Sequence, residues 1–157
     1  MPGRSMGAPG RGFPRPGAFL FALLFVLSGC GRDGSDPRVL ELAHDTITLE
    51  NGRVVQIFML GAGDSAGFRP ASVQANVGDV LRFTADDALT HAVGFEETSL
   101  SADARAFLER SGQLRSPPLV DRGTAWVVSL ENAPPGEYNV IDLTHQHRGR
   151  ITVSPAR

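Results

Sequence analysis

Residues 138–153 read YNVIDLTHQHRGRITV, and this stretch governs the interpretation of the whole chain. It predicts a strand, a tight loop and a second strand. The loop carries Asp142, His145 and His147, whose carboxylate and imidazole groups can bind a metal ion. The preceding sequence then reads as a scaffold that holds this loop beside another histidine, His91.

The composition narrows the classes of function. The 157 residues are enough for one domain with a modest core. All fifteen basic residues are Arg, and three of them precede Cys30. From Cys30 onward the chain therefore has twelve Arg and seventeen acidic residues. This mildly acidic balance predicts that nucleic acid is not a partner. The absence of Lys excludes Schiff-base catalysis and a phosphate-loop lysine.

The N-terminal residues read as a targeting signal rather than as part of the fold. Three Arg precede an apolar run at residues 18–27, which is too short to span a bilayer and suits a secretory signal. The run ends in Leu27-Ser28-Gly29-Cys30, which resembles the bacterial lipobox. That resemblance implies cleavage before Cys30 and attachment of lipid to its thiol. An ordinary signal peptide and an uncleaved anchor are the alternatives.

These features divide the chain into three parts. Residues 1–29 are predicted to be a lipoprotein signal peptide, and residues 30–38 the lipidated Cys30 with a polar, flexible tether. Residues 39–157 are predicted to form the single domain. The predicted location is therefore the bacterial cell envelope, on the periplasmic or extracellular side, with the membrane as partner through the lipid anchor.

Residues 39–157 predict an all-β domain with one inserted helix. Seven or eight short strand-like runs recur at near-regular spacing with Gly and Pro between them, which favours a sandwich or barrel. Asn51-Gly52 predicts a hairpin between residues 46–50 and 53–60. A helix is predicted over residues 100–112, where Ser101 can cap the start and Gly112 can end it.

An ordered set of motifs runs through residues 53–154. The motifs are Phe68-x-Pro70, Gly78-Asp79-x-x-x-Phe83, His91-Ala92-Val93-x-Phe95, Pro135-Gly136-x-Tyr138, Asp142-x-x-His145 and Gly149-x-Ile151-x-Val153. Together they resemble the cupredoxin family, in particular its plastocyanin and amicyanin group. The resemblance implies a Greek-key β-sandwich or barrel.

The same resemblance implies the ligands of a copper site. The family holds copper through a His on an inner strand and through Cys, His and Met on the C-terminal loop. The two histidines fall on His91 and His145, and the family spacing Cys-x-x-His places Asp142 at the Cys position. The Met position has no clear equivalent, and His147 is the nearest candidate.

The change of ligands predicts a different kind of centre. A blue copper site needs a thiolate, and the only Cys of the chain is Cys30, the predicted site of lipid attachment. Any copper would therefore be bound by His and Asp ligands in a non-blue site. The same ligands also suit zinc or iron, and two His with one carboxylate could leave positions open for oxygen chemistry.

Each candidate residue also has a structural interpretation that the sequence leaves open. His91 could be a core histidine, Asp142 could hydrogen-bond loop amides, and His147 could be a solvated loop residue. The leading function is metal handling or electron transfer, with an envelope redox or metal-handling protein as partner. The alternatives are a metal-free scaffold and, ranked last, a small enzyme; we expect no catalytic activity.

Overall fold

The computed structural model describes residues 38–41, 46–49 and 52–156. The predicted signal peptide, Cys30 and residues 31–37 of the predicted tether lie outside the described residues. The described part of the chain contains one α-helix, α1 Ala102–Arg110, and a single 3-10 turn, Glu97–Ser99. Its strands are β1 Val39–Glu41, β2 Thr46–Thr48, β3 Val54–Leu60, β4 Gly67–Arg69, β5 Ser72–Asn76, β6 Val80–Ala85, β7 Val93–Phe95, β8 Ala125–Ser129, β9 Gly136–Asp142 and β10 Arg148–Ser154.

Eight of these strands form two four-stranded sheets. One sheet has the order β5-β10-β9-β7 and the other the order β4-β3-β6-β8, while β1 and β2 pair separately. The pairs β3–β6 and β5–β10 are parallel, and the other pairs within the sheets are antiparallel. The prediction of an all-β sandwich with one short inserted helix is confirmed.

The alternating pattern of β6 shows how the sequence builds the core. Leu81, Phe83 and Ala85 are fully buried, whereas Arg82 and Thr84 between them point to the other face of the sheet. Phe83 stacks on the Trp126 ring of β8, with 5.6 Å between the ring centroids. The inward faces of both sheets and the apolar face of α1 share this core. Its largest fully buried members include Ile57, Met59, Leu108, Leu130, Tyr138, Val140 and Ile151.

The predicted hairpin at Asn51-Gly52 is wrong. β2 pairs with β1, while β3 pairs with β4 and β6 in the sandwich. Because β3 is heavily apolar, it is stabilised more by a position between two strands of the sandwich than by a local hairpin turn. Gly52 has a different role, because a Cβ there would lie 2.1 Å from the carbonyl oxygen of Gly78. Only glycine permits this approach of two backbone segments.

The predicted helix is confirmed and leads into a segment that covers β7. Ser101 Oγ accepts a hydrogen bond from the Ala104 amide, so it caps α1 as expected. After the helix, residues 114–119 run antiparallel to β7 and to the residues before it, with bridges at Gly94 and His91. Among the described residues no helix has the length and apolar character needed to cross a bilayer.

Candidate metal centre

Strand register brings the candidate residues to one end of the sandwich. β3 and β6 run parallel with Met59 opposite Ala85, so Gly61 and Asp87, which follow these strands, lie close together. In the other sheet Val93 pairs with Asp142. Residues that precede β7 therefore lie beside the loop that follows β9. The loops of both sheets meet around this end.

The backbone of His91 pairs with that of Leu119 just before β7. Its amide donates to the Leu119 carbonyl at 2.9 Å, and its carbonyl accepts from the Leu119 amide at 2.8 Å. Its side chain is 0% exposed. Nδ1 lies 2.6 Å from Asp142 Oδ2, and Nε2 lies 2.9 Å from Asp87 Oδ1. Both ring nitrogens thus face carboxylates.

Asp142, the last residue of β9, uses its two oxygens differently. Oδ1 accepts from the amides of Thr144 and His145 at 2.9 and 3.3 Å, which is the turn-forming role that the sequence left open. Oδ2 faces Nδ1 of His91 at 2.6 Å and Nδ1 of His145 at 3.1 Å. One oxygen shapes the loop, and the other points into the candidate site.

His145 lies between the rings of the other two histidines. Its ring centroid is 4.9 Å from that of His91 and 6.2 Å from that of His147, and its side chain is 19% exposed. On one side it contacts Gly61, where a Cβ would lie 2.6 Å from His145 Nε2. The bare backbone of Gly61 therefore forms a close wall against this ring.

The structure brings three of the four predicted ligands together. Ligand atoms of His91, Asp142 and His145 all lie within 4.8 Å of one another, so the group could hold a metal ion. His147 is not part of this group. Its ring is nearly parallel to that of His145, at an angle of 14°, and its Nε2 lies 3.3 Å from the Gly61 carbonyl oxygen.

Asp87 is a site residue that sequence reasoning missed. The structure makes it the partner of His91 Nε2 and of the amides of Gly61 and Leu89. The one available signal was a carboxylate four residues before a candidate ligand histidine.

The carboxylates determine the charge state of the group. Burial alone would lower the pKa of His91, but hydrogen bonds to Asp142 and Asp87 outweigh it and raise that pKa above its ordinary value of 6.5. Burial alone would raise the pKa of Asp142, but hydrogen bonds from His91, His145 and two loop amides lower it. The pKa of Asp87 falls to about 2, since hydrogen bonds from Gly61, His91 and Leu89 outweigh the effect of burial. The hydrogen bonds to the two carboxylates therefore favour the protonated form of His91.

Comparison with known proteins identifies the fold. No protein-family model matches the chain, and no curated protein matches it. A solved structure of a mutant fern plastocyanin aligns with a TM-score of 0.51 at 18% identity, covering 64% of this chain and 100% of the plastocyanin. Purple cupredoxin from Nitrosopumilus maritimus aligns at 0.46 and 20% identity over 63% and 98% of the two chains. An amicyanin mutant in the Cu(I) form aligns at 0.48 and 18% identity over 64% and 82%.

At these identities the likeness concerns the fold alone. The plastocyanin alignment shows that the domain has a cupredoxin-like fold. The resemblance on which the sequence prediction rested is therefore confirmed at the level of the fold. The nature of the site depends on the chain's own donor atoms.

Those donors fit some ions and not others. Two imidazole nitrogens and one carboxylate oxygen suit Cu(II) or Zn(II), and they also occur around Fe(II). No described residue offers a thiolate, because the single Cys of the chain is Cys30. The donor set therefore does not fit a blue copper centre.

Proposed function

We propose that the domain holds a single divalent metal ion, with Cu(II) preferred, for metal handling or electron transfer. The observation that carries this proposal is the convergence of His91, Asp142 and His145, whose ligand atoms all lie within 4.8 Å of one another. His91 precedes β7, whereas the other two lie at the end of β9 and after it, so strand pairing pre-forms the group. Such pre-organisation lowers the cost of binding an ion.

The donor set supports Cu(II) as the preferred ion. Among first-row divalent metals, Cu(II) binds nitrogen and oxygen ligands most tightly. Bound copper would supply one-electron redox chemistry. The chain would hold the ion beside His91 and Asp142, which are both buried, and would so limit the access of water to the ion. Without a thiolate, fast electron transfer of the blue type is not expected.

One observation favours a second candidate, a metal-free scaffold. Both nitrogens of His91 have carboxylate partners, at 2.6 and 2.9 Å. A protonated His91 donates to both of them, so the buried polar groups are satisfied without an ion. In that case the domain would serve as an interaction module, and the group would hold the loops together.

Calorimetric titration with Cu(II) and Zn(II) separates the two candidates. We expect one tight Cu(II) equivalent in the wild type. His145→Ala should weaken it by more than the roughly 10- to 100-fold typical of a residue outside the ligand set. His147→Ala should change it much less, because His147 lies outside the group of three. A wild type that binds neither ion would leave the scaffold as the function.

We also propose that Cys30 carries the lipid that anchors the domain at the bacterial cell envelope. The support is the sequence Leu27-Ser28-Gly29-Cys30 after an apolar run. Mass spectrometry of the membrane fraction should show a diacylglyceryl-modified N-terminus at Cys30. A Cys30→Ala variant should lack this modification, and an unmodified wild-type Cys30 would contradict the proposal.

A further inference from the structure

The carboxylate of Asp87 makes three contacts at this end of the sandwich. Oδ1 accepts from the Leu89 amide at 2.9 Å and lies 2.9 Å from His91 Nε2. Oδ2 accepts from the Gly61 amide at 2.7 Å. One side chain thus joins the end of β3, the loop after β6 and the buried histidine.

The contact with His91 keeps a proton on Nε2 when an ion binds at Nδ1. An ionised carboxylate can only accept, so the proton shared with Asp87 belongs to His91 Nε2, and by the same rule a proton shared with Asp142 belongs to Nδ1. An ion that replaces the Nδ1 proton leaves a neutral His91 that keeps its hydrogen on Nε2 and presents the lone pair of Nδ1. Nδ1 is the nitrogen that faces Asp142 Oδ2, at 2.6 Å.

The contact with Gly61 acts on the second histidine. A Cβ at Gly61 would lie 2.6 Å from His145 Nε2, so the Gly61 backbone is in direct contact with that ring. Because Asp87 Oδ2 holds the Gly61 amide, it fixes this wall. The wall keeps the His145 ring turned so that Nδ1 lies 3.1 Å from Asp142 Oδ2.

We propose that Asp87 is the positioning residue of the metal centre, which presents Nδ1 of both His91 and His145 to the ion. It is not itself a ligand, because its oxygens are committed to Gly61, Leu89 and His91. Carboxylates that accept the second N–H of a ligating histidine act in this way at metal sites in general. The inference rests on the proposed function and deepens it.

An amide in place of the Asp87 carboxylate cannot reproduce both contacts. If the oxygen of that amide faced His91 and Leu89, its NH2 group would oppose the backbone amide of Gly61. If the side chain were reversed, its NH2 group would face His91 Nε2 and favour a proton on Nδ1, the nitrogen intended for the ion. In either orientation one of the two histidines loses its position.

The test compares Asp87→Asn with Asp86→Asn in the full chain. Asp86 is the matched control, since its carboxylate pairs with the exposed Arg122 at 3.0 Å rather than with a histidine. Calorimetry with Cu(II) alone should show affinity reduced about 10- to 100-fold in Asp87→Asn and unchanged in Asp86→Asn. Unchanged affinity in Asp87→Asn, even with a lowered melting temperature, would overturn the proposal, because Asp87 would then be structural only.

A second measurement needs no substitution. In the Zn(II)-loaded wild type, with histidine labelled with 15N, NMR should show His91 Nε2 protonated and Nδ1 bound to zinc. Zinc bound at Nε2 would overturn the role of Asp87 alone. A wild type that binds neither Cu(II) nor Zn(II) would instead overturn the proposed function, and the role of Asp87 with it.

Discussion

At the scale of single residues, Asp142 combines two interpretations that the sequence presented as alternatives. Oδ1 forms the turn with the amides of Thr144 and His145, while Oδ2 faces two imidazoles. A cysteine at this position would have to serve the loop amides and the site with a single sulfur atom, whereas the carboxylate has a separate oxygen for each. The carboxylate also lacks the thiolate that a blue copper site needs.

Asp142→Cys tests the assignment of this position. If the three residues share an ion, the new thiolate should coordinate Cu(II) between the two histidines and produce intense charge-transfer absorption. Visible absorption of the copper-loaded variant measures this. Asp142→Ser is the matched control, since it has the size of cysteine without the thiolate and should stay nearly colourless. A folded, copper-loaded Asp142→Cys variant without such a band would contradict the placement of Asp142 at the cysteine position of the family.

At the scale of elements, the site depends on which strands are neighbours. The sequence located the loop after β9 and selected His91, Asp142, His145 and His147. The first three came from the resemblance to the ligand positions of the cupredoxin family, whereas His147 was only the nearest candidate for the fourth position. The sequence also located α1, since Ser101 and Gly112 mark its ends locally. Such signals lie within a few residues of the feature that they predict.

Asp87 and Gly61 could not be assigned in the same way. Their contact depends on the parallel pairing of β3 with β6, and 26 residues of sequence separate them. Gly52 shows the same difficulty, because its sequence favoured a turn whereas its role is a close approach to Gly78. Contacts made by distant backbone segments leave no local pattern.

Gly61→Ala tests the contribution of the end of β3. The new Cβ would lie 2.6 Å from His145 Nε2 and 2.8 Å from Leu89 Cδ1, so the His145 ring has to move. We expect Cu(II) affinity to fall by about 10-fold or more, as for other changes around metal ligands. Calorimetric titration measures this, with the exposed neighbour Ala62→Ser as control. An affinity equal to that of the wild type would show that the wall does not position His145.

At the scale of the whole molecule, the metal-free domain should respond to pH in two ways. The pKa of His91 is raised above 6.5, so its contribution to stability is fully present below pH 6.5 and is lost as pH rises through the pKa of the folded state. The pKa of Asp142 is lowered below 3.8, so its contribution is present above pH 3.8 and is lost as pH falls through the folded pKa.

The free energy of unfolding of the metal-free chain should therefore be highest between about pH 4 and pH 6.5. Urea titrations at a series of pH values, with a chelator present, measure this dependence. Asp86→Asn should keep the profile, because the Asp86 carboxylate pairs with the exposed Arg122. Stability that rises steadily from about pH 6 to pH 9 would contradict the presence of a buried imidazolium.

The central claim is that His91, Asp142 and His145 together hold one ion, and EPR of the chain loaded with one equivalent of Cu(II) tests it most directly. We predict a non-blue spectrum with couplings from two imidazole nitrogens in the wild type, and from one in His145→Ala. Copper that stays unbound in the wild type would contradict the account. So would two imidazole couplings that persist in His145→Ala.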